Sequence, residues 1–326
     1  MPIVSIRDLV VEYDGRRVLN GVNLDIEHGE TMVLLGGSGS GKSTLLRQII
    51  GLERPKSGSV HVKGMDITSC SKPELKKIRR SIGVAFQSAA LFNSLTVEDN
   101  VALPLRELTR LAPSIIDLMV WMKLTAVGLA EFGKLLPQEL SGGMKKRAAV
   151  ARALALGPEI LVLDEPSAGL DPIVAAELDE LILLLKEALQ MTVIVVTHEL
   201  PSAFRIADRI AMLYQGSFSS VGTKDELKAS QNPRVRQFLD RVPENVAKAP
   251  AVAAYFEQYM QSQETYPLPR KQRLEPLSLD ASRSWHSRLS TLSVGSSADT
   301  PFHTAHICAM PVGWSRERRC CLAASA

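Results

Sequence analysis

The sequence predicts an α/β fold built on a parallel sheet, and three observations carry that reading. Short continuous apolar runs at residues 31–35, 160–163 and 193–196 have the composition of strands buried on both faces. Helical patterns alternate with these runs, notably at 172–188, so the order reads strand–helix–strand. A glycine-rich turn at 36–41 joins the first run directly to a helical pattern at 43–50.

The elements follow in order. Residues 10–13 and 22–26 are rich in β-branched side chains and read as early strands. The strand at 31–35, the glycine turn and the helix at 43–50 come next. Ser71 and Glu74 stand at capping-box spacing and predict a small helix behind them. After the apolar run 82–86 the pattern changes. The stretch from Gln87 to Ser141 is mainly helical, punctuated by Pro104, Pro113 and Pro137. It reads as a helical subdomain inserted at about 88–150. A strongly helical run at 145–156 leads into the strand at 160–163. Residues 1–242 thus form one α/β unit. Beyond them the composition shifts to Ser, Pro and Ala, which predicts a largely disordered extension at 243–326 with a short helix at 255–260. His303, His306 and Cys308 read as parts of that tail rather than as a metal site, and the pair Cys320-Cys321 as part of it rather than as a lipidation site.

Composition narrows the class. With 38 Lys and Arg against 35 Asp and Glu, the net charge of +3 is too small to argue for nucleic acid. The 4 cysteines have neither zinc-site nor disulfide-framework spacing, which predicts a reducing, cytosolic setting. No basic and apolar leader pattern opens the chain, and no run of eighteen apolar residues predicts a membrane span.

Gly36-Gly37-Ser38-Gly39-Ser40-Gly41-Lys42-Ser43-Thr44 fits the phosphate-loop pattern G-x-x-x-x-G-K-[ST]. Glycines let successive N–H groups curl toward an anion, and the helix behind them adds its positive end. Lys42 would neutralise the β- and γ-phosphates of a nucleotide, and the Ser43 hydroxyl would hold Mg²⁺. The strand at 160–163 ends in Asp164 and Glu165. Asp164 suits the metal, and Glu165 suits a general base for water. His198 follows the strand at 193–196, and ligands bind beyond the carboxyl ends of such strands, so it should reach the γ-phosphate. Gln87 ends the run at 82–86 in the same way and could touch metal or water. Ser141, Gly142 and Gly143 form a second anion-binding helix start. Two such starts in one chain are reconciled when two copies, head to tail, complete each other's sites.

In order, Tyr13, the loop at 36–44, Gln87, Leu140-Ser141-Gly142-Gly143-Met144, Asp164-Glu165, Ser167-Ala168-Gly169-Leu170-Asp171 and His198 resemble the ABC ATPase family over about residues 3–242. The resemblance implies a P-loop NTPase fold with a parallel-sheet core, an antiparallel β subdomain and the helical insert. It implies ATP and Mg²⁺, with Tyr13 stacked on adenine and nucleotide sandwiched between two copies. Ser141, Gly142 and Gly143 would contact the other copy's γ-phosphate, and Asp171 would lie at the seam. Met144 stands where the family usually has Gln. That variant, with Phe86-Gln87-Ser88-Ala89-Ala90-Leu91-Phe92, residues 100–105 and residues 233–239, resembles the Mla-type ATPases that energise phospholipid transport between bacterial membranes. The implied partners are a membrane permease, a small regulatory subunit and a substrate-binding Mce-type protein, with no nucleic acid. The implied location is the cytoplasmic side of the inner membrane. The same motor could serve an importer of amino acids or another small solute. A non-transport ABC ATPase would carry a long coiled-coil insertion or tandem ATPase domains, and neither is present.

Overall fold

In the computed structural model, residues 2–242 are described, together with Ala254, Glu257 and Gln258, which are helical. Contacts divide the chain into Met1–Ala249 and Pro250–Ala326. Every strand among the described residues lies in the first unit. The expectations for the tail, apart from helix at Glu257 and Gln258, lie outside the described residues.

The chain opens with strands β1 (Val4–Tyr13) and β2 (Arg16–Ile26). They are joined at Asp14 and Gly15, both at positive φ (49° and 78°), the backbone of a tight hairpin turn. Strands β4 (Ser57–Val62) and β5 (Met65–Asp66) extend this ribbon into an antiparallel sheet of order β2-β1-β4-β5. The larger sheet holds β3 (Thr31–Leu35), β6 (Ile82–Ala85), β7 (Ile160–Asp164), β8 (Thr192–Thr197), β9 (Arg209–Tyr214) and β10 (Ser217–Thr223). Its order is β10-β9-β3-β8-β7-β6, parallel throughout except for the antiparallel edge strand β10.

Both faces of this sheet are covered, which is why its strands read as unbroken apolar runs rather than alternating ones. Met32, Leu34, Val162, Ile194 and Val196 pack in one core with the antiparallel sheet and helix α1 (Lys42–Ile49). Val33, Leu35, Leu161, Val193 and Val195 pack in a second core, on the opposite face. That core holds α3 (Val97–Leu108), α4 (Pro113–Ala126), α5 (Gly142–Ala153), α6 (Pro172–Leu189) and α7 (Leu200–Ile206). Helix α2 (Lys72–Arg80) starts at the expected Ser71–Glu74 capping box. Helices α8 (Lys224–Ala229) and α9 (Pro233–Leu239) complete the unit.

Pro104 does not interrupt the insert; it lies inside α3. The helix is pinned ahead of it. The Thr96 side chain accepts from the Asp99 N–H at 3.2 Å. The fully buried Asn100 donates to the carbonyls of Phe92, Leu95 and Thr96 and accepts from the Phe92 N–H. These bonds offset the one that proline cannot donate.

Candidate nucleotide site

Sheet register brings the candidate residues to one edge. Leu35 on β3 pairs with Thr197 on β8, Asp164 on β7 with Val196, and Ala85 on β6 with Leu163. The chain leaves these parallel strands on the same side, so Gly36, Gln87, Glu165 and His198 emerge together. A cleft of about 530 Å³ there is lined by Val18, residues 38–44, Gln87, Glu165 and His198.

The loop needs its glycines for space as well as for flexibility. A Cβ at Gly36 would stand 2.4 Å from the Leu213 carbonyl oxygen, and one at Gly41, where φ is 107°, would stand 2.8 Å from Leu19 Cδ2. Beyond Gly41 the helix α1 begins at once. Lys42 is buried, and its Nζ donates to the carbonyls of Gly36 (2.8 Å) and Gly37 (2.9 Å). Burial pulls the Lys42 pKa down, and the nearby charges of Glu165 and Asp164 oppose that shift. The Ser40 hydroxyl is buried without a hydrogen-bond partner. Ser43 is exposed.

Asp164 and Glu165 end β7 in different surroundings. Burial, then the charge of Glu165, pushes the Asp164 pKa up, against the pull of Lys42, Lys146 and Arg47. Asp164 Oδ1 is buried with no hydrogen-bond partner, a cost that a cation would remove. The acidic oxygen and the Ser43 hydroxyl are hard ligands, so the donor set fits Mg²⁺.

Glu165 is 8% exposed and sits at φ 47°, a left-handed backbone uncommon for a residue with a long side chain. Its N–H is tied to the Val196 carbonyl at 2.8 Å. Its Oε1 lies 2.8 Å from His198 Nδ1, and the Thr197 hydroxyl donates to Oε2 at 3.3 Å. A carboxylate anchored on two sides in this way can take a proton from a water in the cleft.

Tyr13, Ser141, Gly142, Gly143 and Asp171 do not line that cleft. Tyr13, at the end of β1, is 40% exposed and bonds its hydroxyl to Glu53. Ser141 caps α5 and accepts from the Met144 N–H at 3.3 Å, and it is exposed together with Gly142. Gly143 is buried against α6, where a Cβ would come within 2.5 Å of Val174 Cγ1. Asp171 caps α6 by accepting from the N–H groups of Ile173 and Val174, both at 3.1 Å. Within one chain there are therefore two separate constellations. The cleft collects phosphate-loop, acid and imidazole groups, and the exposed start of α5 presents backbone N–H groups elsewhere.

Sequence reasoning did not single out Lys146. From α5 its Nζ donates to the carbonyls of Gln87 (2.7 Å) and Glu165 (2.8 Å). A lysine on a helix gives no sequence signal for partners that are backbone carbonyls of distant loops.

The chain belongs to the ABC transporter family, whose pattern matches residues 19–168, and it is an ATP-binding subunit that hydrolyses ATP. Proteins named mkl and MlaF are among the relatives it matches. The chain is 44% identical over 237 residues to the "Probable ribonucleotide transport ATP-binding protein mkl" of Mycobacterium leprae, covering 73% of this chain and 68% of that one. Against the mkl protein of Mycobacterium tuberculosis it spans 66% of the relative's length. It is 42% identical over 240 residues to the "Intermembrane phospholipid transport system ATP-binding protein MlaF" of Escherichia coli K12, covering 74% of this chain and 89% of that one. Among solved structures, the ATP-binding cassette MJ0796, a dimer bound to ADP and Pi in a post-hydrolysis state, matches with a TM-score of 0.63 at 34% identity, covering 68% of this chain and 98% of that one. CbiO1 from Clostridium perfringens, part of the transporter complex cbiONQ, matches with a TM-score of 0.66 at 30% identity, covering 78% and 99%.

Proposed function

We propose that residues 1–242 are the nucleotide-binding domain, with its helical insert at about 88–150, of a transporter that moves phospholipid between membranes. Two copies close on ATP. The observation that carries this reading is the separation of the two constellations. The cleft holds Lys42, Gln87, Glu165 and His198, while the exposed Ser141 and Gly142 start α5 outside it. Two copies placed head to tail let each γ-phosphate bridge one cleft and the opposing Ser141–Gly143 turn. Asp171 then lies at the seam. Closure favours ATP over ADP because only the triphosphate makes that bridge.

The residue roles follow from chemistry. Backbone N–H groups of residues 36–44 and the Lys42 ammonium hold the phosphates. Ser43, Asp164 and Gln87 would hold Mg²⁺, which supplies charge neutralisation at the phosphates when bound. Glu165 takes the proton of the attacking water, and His198 orients Glu165 and faces the γ-phosphate. The family resemblance, rather than the cleft geometry, gives Tyr13 at the end of β1 the role of stacking on adenine.

The partners in this reading are a membrane permease, a small regulatory subunit and an Mce-type lipid-binding protein, with the motor on the cytoplasmic face. None of the described helices is long and apolar enough to cross a membrane, which supports a peripheral role. The likeness to MlaF and the Met144 variant support phospholipid as cargo. The name of the mkl relative supplies the rival cargo, a ribonucleotide. Gentle detergent extraction of the native complex, with mass spectrometry of its subunits and bound small molecules, separates them. An Mce-type subunit and retained phospholipid are expected. A complex that retains nucleotides in its membrane part and no lipid would overturn the cargo assignment.

A further inference from the structure

Helix α5 follows its Ser141 cap, packs against β6 and sends side chains to the loops that follow β6 and β7. Two of its cations reach main-chain carbonyls there. Lys146 Nζ donates to Gln87 O at 2.7 Å and to Glu165 O at 2.8 Å. Arg152 donates to Ala89 O at 2.9 Å and to Ala90 O at 2.7 Å. Three of the residues so held share a strained backbone: φ is 61° at Ala89, 49° at Ala90 and 47° at Glu165. For residues that carry a Cβ, such conformations persist only where their surroundings fix them. Here each of the three carbonyls accepts a hydrogen bond from a cation of the same helix. Bonds from a charged donor are shorter and stronger than neutral ones.

We infer that Lys146 is a positioning residue for hydrolysis, holding the backbone of Glu165 and of Gln87 on α5, with Arg152 holding the rest of the Gln87 loop. The inference rests on the roles proposed above for Glu165 and for the start of α5. One rigid helix then carries the Ser141 cap at one end and, within two turns, the anchor of the Glu165 backbone. A displacement of α5 when Ser141 meets the partner's nucleotide moves the base and the Gln87 loop together. The side chain of Lys146 is not among the residues that line the cleft, so its removal takes no donor directly from the phosphates.

The test uses the full chain. Lys146→Met keeps the length and apolar stem of the side chain and removes the donor. It is expected to lower kcat about tenfold or more, with ATP affinity and KM changed by about twofold or less. Lys146→Arg, which can still donate to two carbonyls, is expected to recover most of the rate. Circular dichroism melts establish that each variant is folded. The inference is overturned if folded Lys146→Met turns over ATP at the unaltered rate. It is equally overturned if Lys146→Arg is as slow as Lys146→Met, or if ATP affinity falls in proportion to kcat. Glu165→Gln, assayed in parallel, separates this from the underlying reading. Full activity in Glu165→Gln removes the base assignment itself. An inactive Glu165→Gln beside a fully active Lys146→Met removes only the role of Lys146.

Discussion

Glu165 is fixed from both ends, its side chain by His198 and Thr197 and its main chain by Val196 and Lys146. Glutamine keeps the shape and loses the basicity. Glu165→Gln is therefore expected to bind ATP and dimerise while kcat falls by roughly 10²–10⁴-fold, the usual range for a general base; phosphate release and size-exclusion chromatography read the two effects. Lys42→Ala should weaken ATP binding about 10- to 100-fold, the loss of a charged hydrogen-bond donor, as titration calorimetry would measure. Asp179 on α6 calls for a different prediction. It is 3% exposed, its Oδ1 has no partner, and burial pushes its pKa above the ordinary aspartate value, an effect only partly offset by Ser202 and Arg205. A raised carboxyl pKa means that the folded state resists the charge, so the cost is present at neutral pH and absent once pH falls below the unfolded value. Asp179→Asn should thus raise the melting temperature at pH 7.5, and the gain should vanish below about pH 4. The position of Glu165, His198 and the loop at 36–44 at strand ends was legible because each follows an apolar run. Asp179 and Lys146 were not. One looks like any acid on a helix, and the other's partners are carbonyls 19 and 59 residues away.

Helices and strands were legible to different degrees for physical reasons. Strand β3 was read to the residue, because glycines bound an apolar run on one side and Gly29 and Glu30 on the other. Strands β9 and β10 were not singled out. The edge strand β10 reads Ser217-Phe218-Ser219-Ser220-Val221-Gly222-Thr223, too polar for a buried run. Pro104, one of the prolines that punctuate the insert, falls inside α3, where Asn100, whose polar side chain gives no helical signal, staples the helix to the loop before it. At the junction of α5 and α6 the glycine at 143 is a packing requirement, since Val174 Cγ1 would be 2.5 Å from any Cβ there. Gly143→Ala gains helix propensity of about 1 kcal/mol but forces the helices apart, which typically costs about 1–3 kcal/mol. The expected result is a lower melting temperature and slower ATP turnover, with Val174→Ala in the same chain restoring part of both.

For the whole α/β unit, the six-stranded sheet is a partition. Odd and even positions of one strand belong to different cores, as Ile160 and Leu161 on β7 do. Leu161→Ala should cost about 2–5 kcal/mol and Ile160→Val about 0.5–1.5 kcal/mol. Although the two are neighbours in sequence, their costs should add to within about 0.5 kcal/mol in urea unfolding, because their side chains lie on opposite sides of the sheet. A large coupling would show that the two sides are not separate. The same partition bears on how the molecule can be altered. A variant library confined to the side under β1 and β2 could be repacked for heat resistance without retuning the side that carries α3 to α6, as two rooms with one shared wall can be refurnished one at a time.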